Sequence, residues 1–319
     1  MATSPVDSPV SVRERQVGML FGALAGDSLA LGAHWIYEQE EIAGRFGRIT
    51  DQQEAHPEGY HPGKEAGAQT HYGDQTLVLM ESLEACGGNF VMDDFARRWR
   101  SFWDDTKTYR DKATKATLAH LNGGAGLTRS GSDIADLGGA CRIAPVLLAL
   151  RNEEKPTIIA AVRAQTALTH AAPVAVDTAE FIAHTVFLLM RGVTIPTALG
   201  QSAALPYKAL KPEIYLRKAE SVRELPATEA VSELGQSCPL DKSLPSILAI
   251  LLRHGDDLEH ALIENVMSGG DSAARGLILG LLLGAAHGRR AVPERWIQSL
   301  QARTRVETFL KTVGLGSAD

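Results

Sequence analysis

The chain has 319 residues, with 32 basic against 38 acidic side chains and a formal net charge of −6. It contains no Lys/Arg-rich block, which excludes the electrostatic footprint of a nucleic-acid binder. Cys86, Cys141 and Cys238 lie far apart without CxxC or CxxH spacing, so a disulfide framework is excluded and the cytoplasm is the default compartment.

Residues 1–12 are rich in Ser and Pro, carry no apolar signal core, and read as a disordered lead-in to a single domain over 13–319. From there helical periodicity dominates. Helices are expected over Arg13–Leu31, Thr76–Cys86, Asp93–Trp103, Gly139–Arg151 and Pro156–His170, then Val174–Arg191, Leu244–Arg253, Asp257–Met267, Ser272–His287 and Glu294–Val313. Alternating strand patterns are almost absent. The stretches Gly47–Thr70 and Tyr207–Cys238 read as long irregular loops, the first rich in His, Pro and Gly. Loops of that length in a compact domain usually serve function. The fold class expected is therefore all-α, a single compact multi-helix domain with orthogonal packing.

The most informative segment is Gly269-Gly270-Asp271-Ser272-Ala273-Ala274-Arg275, which opens a helix carrying glycine at 276, 280 and 284, with a fourth at 288. Glycine at every fourth position clears one groove and lets a second backbone approach closely. The apolar run Gly276–Ala286 is about 11 residues, short of the roughly 20 that a membrane span requires, so a buried helix is expected and no membrane partner. Asp271 stands where free N–H groups and the positive end of the helix dipole converge.

Four further pieces could carry chemistry. Gly22-Ala23-Leu24-Ala25-Gly26-Asp27 places a carboxylate among small residues, where it either pairs with nearby backbone or serves a site; His34, Trp35 and Tyr37 follow as a polar and aromatic rim. His71-Tyr72-Gly73-Asp74-Gln75-Thr76 puts Asp74 at a helix start, as a cap or as a functional acid. Ser130-Gly131-Ser132-Asp133 precedes Gly138-Gly139, a glycine pair opening a helix and able to offer N–H groups to phosphate. Thr169-His170 sits at a helix junction, as a structural hydrogen-bonder or a ligand contact.

Taken in order, these motifs resemble the ADP-ribosylglycohydrolase family over roughly Val17–Arg289. Gly22–Asp27 is similar to the family's opening Gly-x-x-x-Gly-Asp helix, and Tyr72–Thr76 falls on its Thr-Asp-Asp-Thr metal loop. Gly138–Pro145 is similar to its Asn-Gly-x-x-Met-Arg-x-x-Pro segment, Thr169-His170 to its Thr-His, and Gly269–Arg275 to its closing Gly-Gly-Asp-Thr-Asp-Ser loop. Within the family the pattern resembles the metal-ligand-depleted branch that includes jellyfish lens crystallin and its selenoprotein relative. The resemblance implies an all-α fold, a cleft for ADP-ribose and a pair of Mg²⁺ ions serving hydrolysis of an N- or O-glycosidic bond. Its departures are specific: Gly73 and Gln75 stand where Thr and Asp are usual, Ala273 and Ala274 replace the closing Asp and hydroxyl, and His34 falls where a Glu is usual.

On that resemblance Asp74 is expected to orient water or act as general base, with Asp271 supporting it and His34 as proton donor or replacement ligand. Gly138, Gly139 and Asp133 would meet the phosphate-bearing part of the ligand, His170 the nucleotide or distal ribose, and Trp35 a stacked ring. Asp74 and Asp271 together would hold at most one weak Mg²⁺, or the site works metal-free. The expected partner is an ADP-ribose-type ligand or ADP-ribosylated target. The alternative is an inactive family member that binds a nucleotide sugar or serves a structural role.

Overall fold

The structure, a computed structural model, describes residues 10–316. The expected lead-in over 1–12 falls largely outside them; at its end, Ser11 caps the first helix through its side chain. The helices in chain order are α1 (Val12–Ala30), α2 (Gln39–Phe46), α3 (His71–Ala85), α4 (Met92–Asp105), α5 (Lys112–Asn122), α6 (Ala144–Ala149), α7 (Lys155–Ala167) and α8 (Pro173–Leu189). They continue as α9 (Ile195–Ala203), α10 (Pro212–Ser221), α11 (Ala227–Leu234), α12 (Leu240–His254), α13 (Leu258–Met267), α14 (Ser272–His287), α15 (Glu294–Ser299) and α16 (Arg303–Thr312). Among the described residues there is no strand, only two isolated bridges, so the all-α expectation holds.

Helices α1 and α14 form the axis of the core. Gly18, Gly22 and Gly26 of α1 face Gly284, Gly280 and Gly276 of α14 in antiparallel register, and a Cβ on any of the six would press on the opposite backbone at under 3.0 Å. The groove read from the sequence is thus filled by a second helix built to the same rule. Both helices are apolar around most of their circumference because neighbours surround them; every residue of Ser272–Ala285 is buried. Burial on all sides, rather than a single apolar stripe, is what their composition reflects.

Several boundaries differ from expectation. Helix α3 starts at His71, not Thr76, because Thr70 supplies the N-cap, accepting from Tyr72 N. Gly138–Arg142 forms turns, and the helix expected from Gly139 begins only at Ala144. Tyr207–Cys238 is not irregular throughout: α10 and α11 lie within it. The last helix is broken into α15 and α16. Helices α2, α5 and α9 were not anticipated; the first two are short and polar, with a buried side too narrow to register as an apolar run.

Candidate active site

The loop before α14 is stitched to two other segments. Gly269 and Gly270 both take left-handed backbone (φ 72° and 68°), and a Cβ on Gly270 would meet Gln236. Trp35 N donates to Gly270 O (2.9 Å), Gly270 N to Ile36 O (2.7 Å) and Asp271 N to Gln236 O (2.8 Å). Beneath, the buried Arg275 guanidinium donates to Asn265 Oδ1 (3.0 Å), Gln236 O (2.9 Å) and Gly269 O. Asp271 is thereby fixed at the mouth of α14, yet its side chain caps no N–H of that helix.

The carboxylate instead turns inward. Its Oδ2 accepts from the Tyr72 hydroxyl at 3.2 Å; its Oδ1 lies 3.8 Å from His34 Nδ1 and has no hydrogen-bond partner. Burial raises the pKa of Asp271, opposed by the neighbouring Cys238 thiol and by the charge of Arg275. Neither His34 ring nitrogen has a partner. Burial first, then the neighbouring His61 and His71 rings, hold His34 well below the ordinary imidazole range, so it is neutral.

Trp35 covers this polar layer. It holds left-handed backbone (φ 66°), unusual for a bulky side chain, and stacks on His34 with ring centroids 4.3 Å apart. Tyr60 and Tyr109 meet it edge-on at 4.5 and 5.1 Å. Below the cap, His61 Nε2 and His71 Nδ1 share a hydrogen bond (3.1 Å), and His71 Nε2 lies 3.3 Å from Asp111 Oδ2. Burial alone would raise Asp111, but the hydrogen bond and charge of His71 outweigh it and hold the carboxyl below its ordinary value.

On the other flank His170 stands at the end of α7. Its Nδ1 bonds Thr169 Oγ1 (2.8 Å) and its Nε2 lies 2.8 Å from Asp136 Oδ1, off the line of a well-formed hydrogen bond. Gly138 lies against the rings of both His170 and Tyr72, so His170 joins the Asp271 cluster through that contact. Arg142, fully buried, donates to Thr169 Oγ1 (2.7 Å), Gln165 Oε1 (2.9 Å) and Gln75 Oε1 (3.3 Å) and so fixes the wall behind His170.

The arrangement can be set against known proteins. The sequence profile of the ADP-ribosylglycohydrolase family matches residues 8–317. The chain belongs to the ADP-ribosylglycohydrolase family. Curated relatives named ADP-ribosylhydrolase ARH3 are 25% identical in Mus musculus, covering 93% of this chain and 90% of that protein, and 24% identical in Homo sapiens, covering 93% and 92%. A solved "ADP-ribosylglycohydrolase-related protein complex" superposes with a TM-score of 0.74 at 23% identity, covering 96% of this chain and 98% of its counterpart, and so shares the fold.

Of the residues singled out from the sequence, the fold gathers Asp271, His34, Trp35, Gly138 and His170. Asp74 makes its contacts elsewhere. It lies two positions beyond Tyr72, about 200° around α3, and pairs with Lys64 Nζ, with Thr108 Oγ1 3.4 Å away. The two aspartates share no hydrogen-bond or ion-pair partner. Nor does Asp74 cap α3, since Thr70 does. Asp133 is exposed, and the acid that meets His170 and Gly138 N (2.9 Å) is Asp136. Gly139 is packed on Thr166, and the Gly138 N–H is already held by Asp136, so this glycine pair does not present a phosphate-binding helix start. Asp27 takes the backbone reading: it accepts from Thr70 N (2.7 Å) and Thr70 Oγ1 (2.6 Å) and ties α1 to the start of α3.

The residues present do not fit the family's magnesium pair. Mg²⁺ takes octahedral oxygen ligands, usually with carboxylates among them. Here Asp74 is neutralised by an ammonium, Asp271 sits with imidazole, phenol and thiol, and a Cβ at Gly73 would collide with Asp27 Oδ2. Among the described residues no group of three or more His, Cys, Asp or Glu side chains could hold a metal ion. Tyr72, His61, His71, Asp111, Asp136 and Cys238 were not assigned roles from sequence; His71 and Tyr72 stood in the motif that carries Asp74 and His61 in the His- and Pro-rich loop, while Asp111 and Asp136 carried no signal.

Proposed function

We propose that this chain hydrolyses an ADP-ribosyl, or related ribosyl, N- or O-glycosidic bond at the Asp271 cluster without a magnesium pair. The observation that carries the reading is a fully buried carboxylate that caps nothing and turns an unpartnered oxygen toward a neutral imidazole with both nitrogens free. Unsatisfied polar atoms so close together in a protein interior are costly unless a ligand or water completes them.

Cleavage at the anomeric carbon develops oxocarbenium character and needs a proton on the leaving group. With its pKa raised, Asp271 retains a proton to higher pH than a free carboxyl and delivers it to the departing N or O atom. The carboxylate left behind offsets the positive charge at C1. His34 takes the proton of the attacking water and returns it to Asp271 across the 3.8 Å gap, which closes the cycle. Tyr72 and Cys238 orient the carboxylate, and Trp35 with Tyr60 must part to admit the sugar.

The test is incubation with ADP-ribosyl-arginine and with O-acetyl-ADP-ribose, each in Mg²⁺ and in EDTA. Release of ADP-ribose in both buffers, abolished by Asp271→Asn, is the expected result. A second reading, a binding-only descendant of the family, is favoured by the Lys64–Asp74 pair, which occupies the acid of the usual metal loop. It prevails when wild-type protein leaves both compounds intact while ADP-ribose still raises the melting temperature.

A further inference from the structure

A cavity lies at the opposite end of α14 from Asp271, about 24 Å away along the 16-residue helix. Its volume is about 490 Å³, within the range of small-molecule sites. The floor is apolar, formed by residues such as Ile195, Pro196 and Leu251. Arg15, Arg223, Arg253 and His287 line it, with Asp256 as the one acid. That balance is notable in a chain whose net charge is −6.

Two of these cations have no counter-charge. Arg15 donates to Ala285 O (3.1 Å) and Ala286 O at the end of α14, and Arg253 to Arg223 O (2.9 Å). Among the described residues neither is ion-paired with a carboxylate, whereas Arg223 pairs with Glu220 at 3.1 Å. Each therefore has guanidinium N–H groups left for a ligand. The start of α9 opens on the same cavity, and its N-cap Thr194 makes no capping hydrogen bond; its hydroxyl donates to Thr197 Oγ1 (2.9 Å). Guanidinium forks and uncapped helical N–H groups both match phosphate oxygens, and the apolar floor matches a ring or hydrocarbon body.

We infer that this cavity binds a small phosphate monoester with an apolar body, held by Arg15 and Arg253 and separate from the Asp271 site. The inference stands whether or not the chain hydrolyses ribosyl bonds.

Phenyl phosphate is the probe, with phenol and inorganic phosphate as its two halves, titrated calorimetrically at constant ionic strength. Phenyl phosphate should bind saturably and more tightly than either half. Arg253→Gln and the double variant R223Q/R253Q, both at exposed positions, should weaken it by roughly tenfold or more. Asp271→Asn should leave it unchanged. A measurement that needs no variant accompanies these: phenyl phosphate should protect Arg253 of the wild-type protein from phenylglyoxal, read by peptide mass spectrometry. Absence of saturable binding up to about 10 mM, binding indifferent to R223Q/R253Q, or binding lost in Asp271→Asn would each overturn the assignment.

Discussion

Gly280→Ala isolates the contact on which the α1–α14 axis depends. In an isolated helix the substitution would stabilise, since alanine is the better helix former by about 1 kcal/mol. Here the new Cβ falls inside 3.0 Å of three backbone atoms of α1, namely Gly22 O, Gly22 C and Ala23 N, the last at 2.9 Å. No side chain can rotate away, so the two helices must separate by on the order of 1 Å to restore ordinary carbon contacts near 3.5 Å. Overpacking of this kind costs about 1–3 kcal/mol where side chains yield, and more where only backbone can move. Set against the propensity gain, the net expectation is a loss of about 2–4 kcal/mol. Gly200→Ala in α9 is the matched control: nothing lies within 4 Å of its Cβ, so it should gain about 0.5–1 kcal/mol. Urea denaturation followed by circular dichroism reads both. If Gly280→Ala holds its midpoint, or if the two substitutions move it in the same direction, the close-packed seam is wrong.

Three other outcomes are expected. Burial raises the pKa of Asp27 from 3.8 to about 7, with the Thr70 donors opposing. Between those values the native state keeps a proton that the unfolded chain has released, so this group's contribution erodes as pH rises from 4 to 7. Asp27→Asn should gain on wild type by a few kcal/mol across that interval, and a pH-independent difference would contradict the account. Added Mg²⁺ should leave the melting temperature of EDTA-treated protein unchanged, because native-state binding would raise it by mass action; a magnesium-dependent rise would reveal a ligand set that these side chains do not form. Trp35→Gly should cost less than Trp35→Ala by about 1 kcal/mol or more, because alanine keeps the left-handed backbone strain at φ 66° that glycine relieves. Equal losses in urea denaturation would disprove that relief.

The sequence was most readable where one residue type recurs at one period. The glycines of α14 announced a close helix partner, and Gly18, Gly22 and Gly26 supply it in the same period. Asp74 was harder to place, because its role depends on where α3 begins. A start at Thr76 leaves the direction of Asp74 undefined; a start at His71, set by the Thr70 cap, puts it on the helix face that meets Lys64. Likewise Asp133 and Asp136 lie three positions apart in an irregular segment, and the bridges of Ser132 to His170 and of Asp136 to Pro239 decide which one meets the imidazole. Tyr109, Asp111 and Cys238 come from connections whose paths are fixed by long-range packing, and no local pattern marks them.

Asp271 stood out in the sequence as a lone acid at the mouth of a helix, and its geometry departs from that of an ordinary cap. An aspartate at a helix start ordinarily gains about 1 kcal/mol by accepting from the first-turn N–H groups. Here that gain is forgone, and the carboxylate is buried completely, which adds a desolvation cost of several kcal/mol for any charged state. Two left-handed glycines and a buried arginine hold the loop from which the side chain turns inward. A fold that needed only a helix cap would be more stable with the carboxylate turned outward. The arrangement is coherent when the acid serves a ligand entering from the His34 side. On that view Gly270→Ala, which displaces the loop against Gln236, should abolish turnover even with every cluster side chain retained.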